Sequence, residues 1–193
     1  MNTHQQNDFL QWATEHGLET KDWSELSFSP DPYLDRFWEV PPEPKGRAVF
    51  LLCMLGLMGP WKTCFVWRSI ARWPAVPDYS NINSRVEHQI LTGIGIPMGT
   101  SEIVEFSRSD TDRLIALLLT STLLGCTEYD DVFLVPDNVQ FVMKTSHHDV
   151  VEIAFGTEQA LTQFVHGMQA KGYYLPDEIP DATFIKPEWM KTE

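Results

Sequence analysis

His147, His148 and Asp149 stand side by side in a chain of 193 residues, and they are its densest group of side chains able to do chemistry. Imidazole and carboxylate bind divalent metals and transfer protons. A hydrolytic zinc needs about three converging protein ligands and one open position. The triplet therefore needs help, and Glu128, Asp130 and Asp131 are the acids a fold would bring nearest. Neighbouring residues at a turn point apart, however, so one metal rarely takes both histidines. The plainer reading is a solvated turn in which Asp149 hydrogen-bonds the backbone.

The other candidates are weaker. His88 and His166 sit in predicted helices with no ligand partner three or four residues away, which fits structural or solvated histidines. Gly93, Gly95 and Gly99 contain G-x-G but not G-x-G-x-x-G, because residue 98 is Met. The segment leads into a strand instead of a helix, so it reads as a turn and not as a dinucleotide loop. There is no G-x-x-x-x-G-K-[ST] phosphate loop and no G-x-S-x-G nucleophile elbow. Cys64 and Cys126 lack a basic neighbour that would lower a thiol pKa.

The elements that must position the triplet are the most legible in the chain. Val132 to Val135 is a continuous apolar run, as expected of a strand buried on both faces. Pro136-Asp137-Asn138 breaks it, and Val139 to Thr145 alternates. Residues 146–149 turn the chain, and Val151, Ile153 and Phe155 form one face of a third strand. Thr157 is a good helix N-cap, Glu158 suits the first turn, and Gly172 stops the helix. Residues 131–155 thus predict an antiparallel three-stranded meander, with a helix over 158–171 packed on it.

Upstream, residues 7–16 predict a short helix closed by Gly17. Residues 19–44 carry five prolines and no lasting period, and read as extended chain held down by its aromatic side chains. Trp23, Phe37 and Trp38 are expected to be buried there. Arg47 to Met58 is apolar nearly all round, and its scarcity of β-branched residues favours helix over a buried strand. Residues 63–73 predict a strand. Asn83 or Ser84 caps a helix with Val86, Ile90 and Leu91 on one side. Residues 102–106 predict a strand, and Ser109-x-x-Asp112 resembles a capping box. The tail is broken by proline, with Phe184 and Trp189 as expected anchors. The expected fold is α+β: an antiparallel or mixed sheet containing the meander, packed with helices. Residues 1–43 form an irregular, aromatic-rich N-terminal arm, docked on an α+β domain of residues 44–193.

Charge narrows the function. The net charge is −13 and the pI about 4.7. That argues against general nucleic-acid binding and against docking on anionic lipid, and it favours a basic protein partner. Residues 1–43 hold nine acids against two bases. Three cysteines without a C-x-x-C pair fit reduced thiols in the cytoplasm. No signal peptide is visible, and the longest apolar run, 48–58, falls short of the roughly 20 residues a bilayer needs. Six of the seven tryptophans precede residue 74, and most are expected to fill the gap between arm and sheet, with a sugar platform or protein hot spot as the functional alternative.

The resulting expectation is a non-enzymatic binding or regulatory protein of the cytoplasm with an acidic surface and no cofactor. Immunity-type proteins that neutralise basic nuclease toxins are an analogue, being often acidic and α+β. The alternative is a small metal-dependent hydrolase using His147, His148 and Asp149.

Overall fold

A computed structural model describes residues 1–22, 25–28, 34–68, 72–125, 131–146 and 148–176. In chain order the elements are β1 (Asn2–His4), α1 (Gln6–Glu15), β2 (Leu18–Asp22), β3 (Glu25–Phe28), β4 (Asp35–Glu39), α2 (Pro44–Leu57), β5 (Thr63–Arg68) and α3 (Ile82–Gly93). There follow β6 (Ile103–Ser107), a single 3₁₀ turn (Arg108–Asp110), α4 (Thr111–Leu124), β7 (Val132–Pro136), β8 (Phe141–Ser146), β9 (Val150–Phe155) and α5 (Glu158–Ala170).

Seven strands form one antiparallel sheet in the order β1-β6-β5-β7-β8-β9-β4, and β2 and β3 form a separate hairpin. The α+β expectation holds, and the sheet is antiparallel. The meander β7-β8-β9 runs where the alternation put it. Its first strand is buried at all five positions. Leu134 points into a large core beneath α2 to α5, while Phe133 and Val135 point into a smaller one beneath α1. That two-sided burial is why the run has no polar alternation.

The large core contains an aromatic knot. Phe164 of α5 is 1% exposed, with its ring 5.4 Å from Trp38 and Phe155 and 5.7 Å from Phe141. Thr157 caps α5 by accepting the Ala160 N–H at 3.1 Å. The α2 helix passes close enough to α5 that a Cβ on Gly167 would overlap the Leu57 side chain, which would have to shift to admit it.

Several local expectations shift. Residues 19–44 hold three strands, and β1 and β4 form the two edges of the sheet. Trp38 is buried and Phe37 half-buried, while Trp23, Phe184 and Trp189 lie outside the described residues. The α3 cap is Asn81, whose side chain accepts from the Asn83 and Ser84 N–H groups. Leu91 faces the core, but Val86 and Ile90 stay open to solvent. The turn before α4 forms two residues earlier than expected: Asp110 accepts from the Ser107 N–H at 3.2 Å and from its hydroxyl at 2.6 Å. The β8 strand begins at Phe141, because Val139 adopts φ 51°, a left-handed conformation unusual for a β-branched residue. Its neighbours hold it there: the Asn138 amide donates to the Met58 carbonyl at 2.9 Å, and Asp137 accepts the Lys62 N–H at 3.0 Å.

Because the Phe164 ring is enclosed, Phe164→Ala should destabilise the fold by about 3–5 kcal/mol in urea melts. A loss below roughly 1 kcal/mol would mean that this face of α5 is not packed as described.

Candidate functional site

The β8–β9 turn carries the triplet. His147 lies outside the described residues. His148 is half-buried, and its N–H donates to the Ser146 hydroxyl at 3.2 Å. Asp149 has φ 59°, a conformation that aspartate tolerates. Among the described residues, its carboxylate meets a side chain instead of the backbone. Oδ1 lies 2.6 Å from Nη1 of Arg47 in the first turn of α2. The same nitrogen donates to the Thr122 carbonyl at the end of α4. The Asp149 carbonyl accepts the Val40 N–H at 2.7 Å. The turn is thus clasped to two helices and to the strand-to-helix connection before α2. A guanidinium already neutralises the one carboxylate of the triplet, and a dication placed there would meet that charge.

Of the upstream acids, Asp131 alone lies among the described residues. Glu128 and Asp130 lie outside the described residues. Asp131 is buried and sits 3.5 Å from the Lys144 ammonium on β8. Among the described residues, no group of three or more His, Cys, Asp or Glu side chains is close enough to hold a metal ion.

The turn belongs to a larger arrangement. Among the described residues, eight buried side chains are polar or charged, and all lie toward one end of the sheet. Arg68 ends β5, Asp131 precedes β7, Thr145 is near the end of β8, and Thr120, Ser121 and Thr122 end α4. The register brings these ends together, since Arg68 pairs with Val132 and Val132 with Thr145. Arg47 reaches in from α2 and Glu87 from α3. The Arg68 Nη1 is 3.3 Å from the Glu87 Oε1, both side chains being about nine-tenths buried or more. Ser121 and Thr145 hydroxyls are 3.3 Å apart, and Thr145 donates to the Val132 carbonyl at 3.3 Å. Several of these groups pair with one another, while the buried Arg47 Nε has no hydrogen-bond partner among the described residues. The Ser121 and Thr145 hydroxyls face each other, and Thr145 a carbonyl, and together they fasten α4 to the sheet.

His88 contacts the Ala75 carbonyl at 3.2 Å, and His166 is exposed on α5. Gly95 and Gly99 both have positive φ and turn the chain from α3 toward β6. Cys64 is buried, and desolvation followed by the nearby Asp137 pushes its thiol far above the usual range, so it is inert. Cys53 is half-buried, and Cys126 lies outside the described residues. A cleft lined by Asp35, Arg36, Phe37, Leu175 and Pro176 has a volume of about 220 Å³. That is below the roughly 300–1,000 Å³ of ordinary ligand sites.

One feature escaped the sequence reading. On the α1–β1–β6 corner and the adjoining start of β2, Asp8 and Glu15 of α1 and Glu19 of β2 are exposed, and Glu102 and Glu105 are half-buried. No Lys or Arg occurs from Met1 to Thr20 or from Val86 to Ser107. The counter-groups are weak. His4 Nε2 is 2.7 Å from Glu105, the Asn2 amide donates to Glu105 at 3.3 Å, and the Gln5 amide donates to Glu102 at 3.2 Å. The Met1 amine pairs with Asp110 at 3.1 Å. Hydrogen bonds from Ser107, and then the one from this amine, hold the Asp110 carboxyl below its ordinary 3.8. His4 and Glu105 form a histidine–carboxylate pair across 101 residues, a separation at which no spacing rule operates.

No protein-family model matches the chain, and neither the curated proteins nor the solved structures contain a match. Function must be argued from these residues alone.

Two outcomes test the site. Glu87→Gln leaves the Arg68 charge buried without its carboxylate and should cost about 3–5 kcal/mol, whereas Asp149→Asn keeps the left-handed turn, removes a half-exposed partner and should cost under about 1 kcal/mol. Chemical denaturation of both variants checks the asymmetry. For Asp110, a depressed folded pKa means a contribution complete above the ordinary carboxyl value and lost as pH falls through the folded one. Asp110→Asn should therefore cost about 1 kcal/mol at neutral pH. The gap from wild type should close as melts are repeated at decreasing pH.

Proposed function

We propose that this is a non-catalytic binding protein of the cytoplasm whose acidic α1–β1–β6 corner docks a basic protein. The observation that carries the reading is the corner itself: five carboxylates within residues 1–20 and 102–107, two stretches without Lys or Arg, with Lys21 the first base to follow on β2. Such a one-sign surface attracts and orients a basic partner before contact, and it repels nucleic acid. Elsewhere several cations already face carboxylates, as in Arg47–Asp149, Arg68–Glu87 and Lys144–Asp131. The exposed acids of the corner are therefore left with surplus charge. The β8–β9 turn adds support from the other side, since its carboxylate is committed to Arg47 and not free for hydrolytic chemistry. Cys53 and Cys64 are free thiols, which suits a reducing compartment. Among the described residues no helix is long and apolar enough to cross a membrane.

The test is a pull-down from native lysate with wild type and Asp8→Asn/Glu15→Gln/Glu19→Gln side by side. All three positions are exposed, so the variant should fold normally. Wild type should retain a basic protein that the variant loses, and added salt should weaken the capture. Identical captures by both proteins would reject the corner as the docking surface. Stoichiometric zinc, manganese or iron in tag-free protein, lost in a His147→Ala/His148→Ala/Asp149→Ala variant, would reject the non-catalytic reading.

A further inference from the structure

The described residues expose nine large hydrophobic side chains, and five of them fall between residues 76 and 90. Val76 is 67% exposed, Tyr79 73%, Ile82 59%, Val86 37% and Ile90 36%. The last three lie four residues apart along α3, on one side of the helix. The helix is inverted relative to an ordinary surface helix, because it turns Glu87 inward to Arg68 and leaves this aliphatic row outside. The row is also presented rigidly. Asp78 accepts from the Ser80 N–H at 2.9 Å and its hydroxyl at 2.6 Å, and its own N–H donates to Ser84 at 3.0 Å. Asn81 caps the helix immediately after.

Charge says what covers it. The chain carries −13 overall, yet residues 76–93 contain only Asp78, Arg85 and the internally paired Glu87. The exposed pair sums to zero. A basic partner finds no surplus carboxylate here, and an acidic partner finds no surplus cation. A second copy of this chain avoids its own long-range repulsion best at such a neutral face. Symmetry points the same way. A two-fold interface requires that residue i meets j while j meets i. Ile82-x-x-x-Val86-x-x-x-Ile90 reads the same in both directions. An antiparallel copy on an axis through Val86 sets Ile82 against Ile90 of the second copy twice, with Val86 against itself.

We propose that the protein forms a two-fold homodimer through α3, with the axis at Val86. This surface and the acidic corner lie on opposite faces of the sheet, since α3 packs on the large core and α1 on the small one. Dimerisation therefore leaves both corners free.

Sedimentation equilibrium over a micromolar to millimolar series tests the proposal on the full chain. Wild type should rise from 22.2 kDa to twice that mass with concentration. Ile82→Lys and Val86→Lys should stay at the monomer mass with unchanged far-ultraviolet circular dichroism. If Val86→Lys fails to fold, Ile82→Lys carries the test, its side chain being the more exposed. Val86→Cys should cross-link to a second copy on oxidation, whereas Gln169→Cys on the exposed side of α5 should not. Wild type that remains at 22.2 kDa throughout, a dimer that persists in folded Ile82→Lys, or a Val86→Cys dimer that does not cross-link overturns the proposal.

Discussion

Arg47 is where the two layers of the molecule are tied together. Its guanidinium meets the Asp149 carboxylate in the β8–β9 turn and the Thr122 carbonyl at the end of α4, while its own backbone begins α2. Carbonyls at a helix C-terminus have no partner within the helix and carry partial negative charge, so a buried cation suits that end of α4. A lysine would place one compact charge there. Arginine offers a planar fork of five donors and can serve a carboxylate and a carbonyl together. The buried Arg68–Glu87 pair performs the corresponding task between β5 and α3. Burying charge is expensive even when it is paired, so such pairs argue for a specified geometry more than for added stability.

That cost is tolerable because the sheet is fixed independently. Strand β7 is buried at every position, and β5, β8 and β9 pack apolar rows into the large core. Trp67 and Phe133 stack at 5.4 Å in the smaller core. Nonpolar burial of this extent supplies the main driving force. The polar end decides which helix meets which strand. Segregating the two tasks keeps the buried polar groups near one another, where several of them pair.

What could be read in advance follows the same division. The meander and α5 were legible because alternation, proline punctuation and the Thr157 cap are local and agree. The β1 strand was not legible: Asn2, Thr3 and His4 have no strand character, and their pairing comes from the open edge of β6. The clasp at Asp149 was hidden for a related reason. Arg47 and Thr122 are 75 residues apart, and only the assembled helix layer brings them to the turn. His148 and Asp149 lie in a turn as expected, and the Asp149 carboxylate, expected on the backbone, meets Arg47. At α3 the pattern located the helix but not its burial: Leu91 faces the core, whereas Val86 and Ile90 on the same side stay open and Glu87 turns inward to Arg68.

The inversion of α3 and the bareness of the acidic corner have a common origin in how charge is distributed. Each interior cation takes a carboxylate with it, and the pairs collect at one end of the sheet. Surplus acids are left for the outside, and several gather on α1 and beside β6, where no Lys or Arg occurs. The α3 face is the complement of that arrangement. Its glutamate is consumed internally, so its exterior is neutral and apolar. The two surfaces thereby differ in character, the α3 face neutral and apolar, the corner acidic. The selectivity of the two surfaces rests on which carboxylates the arginines withdraw from solvent.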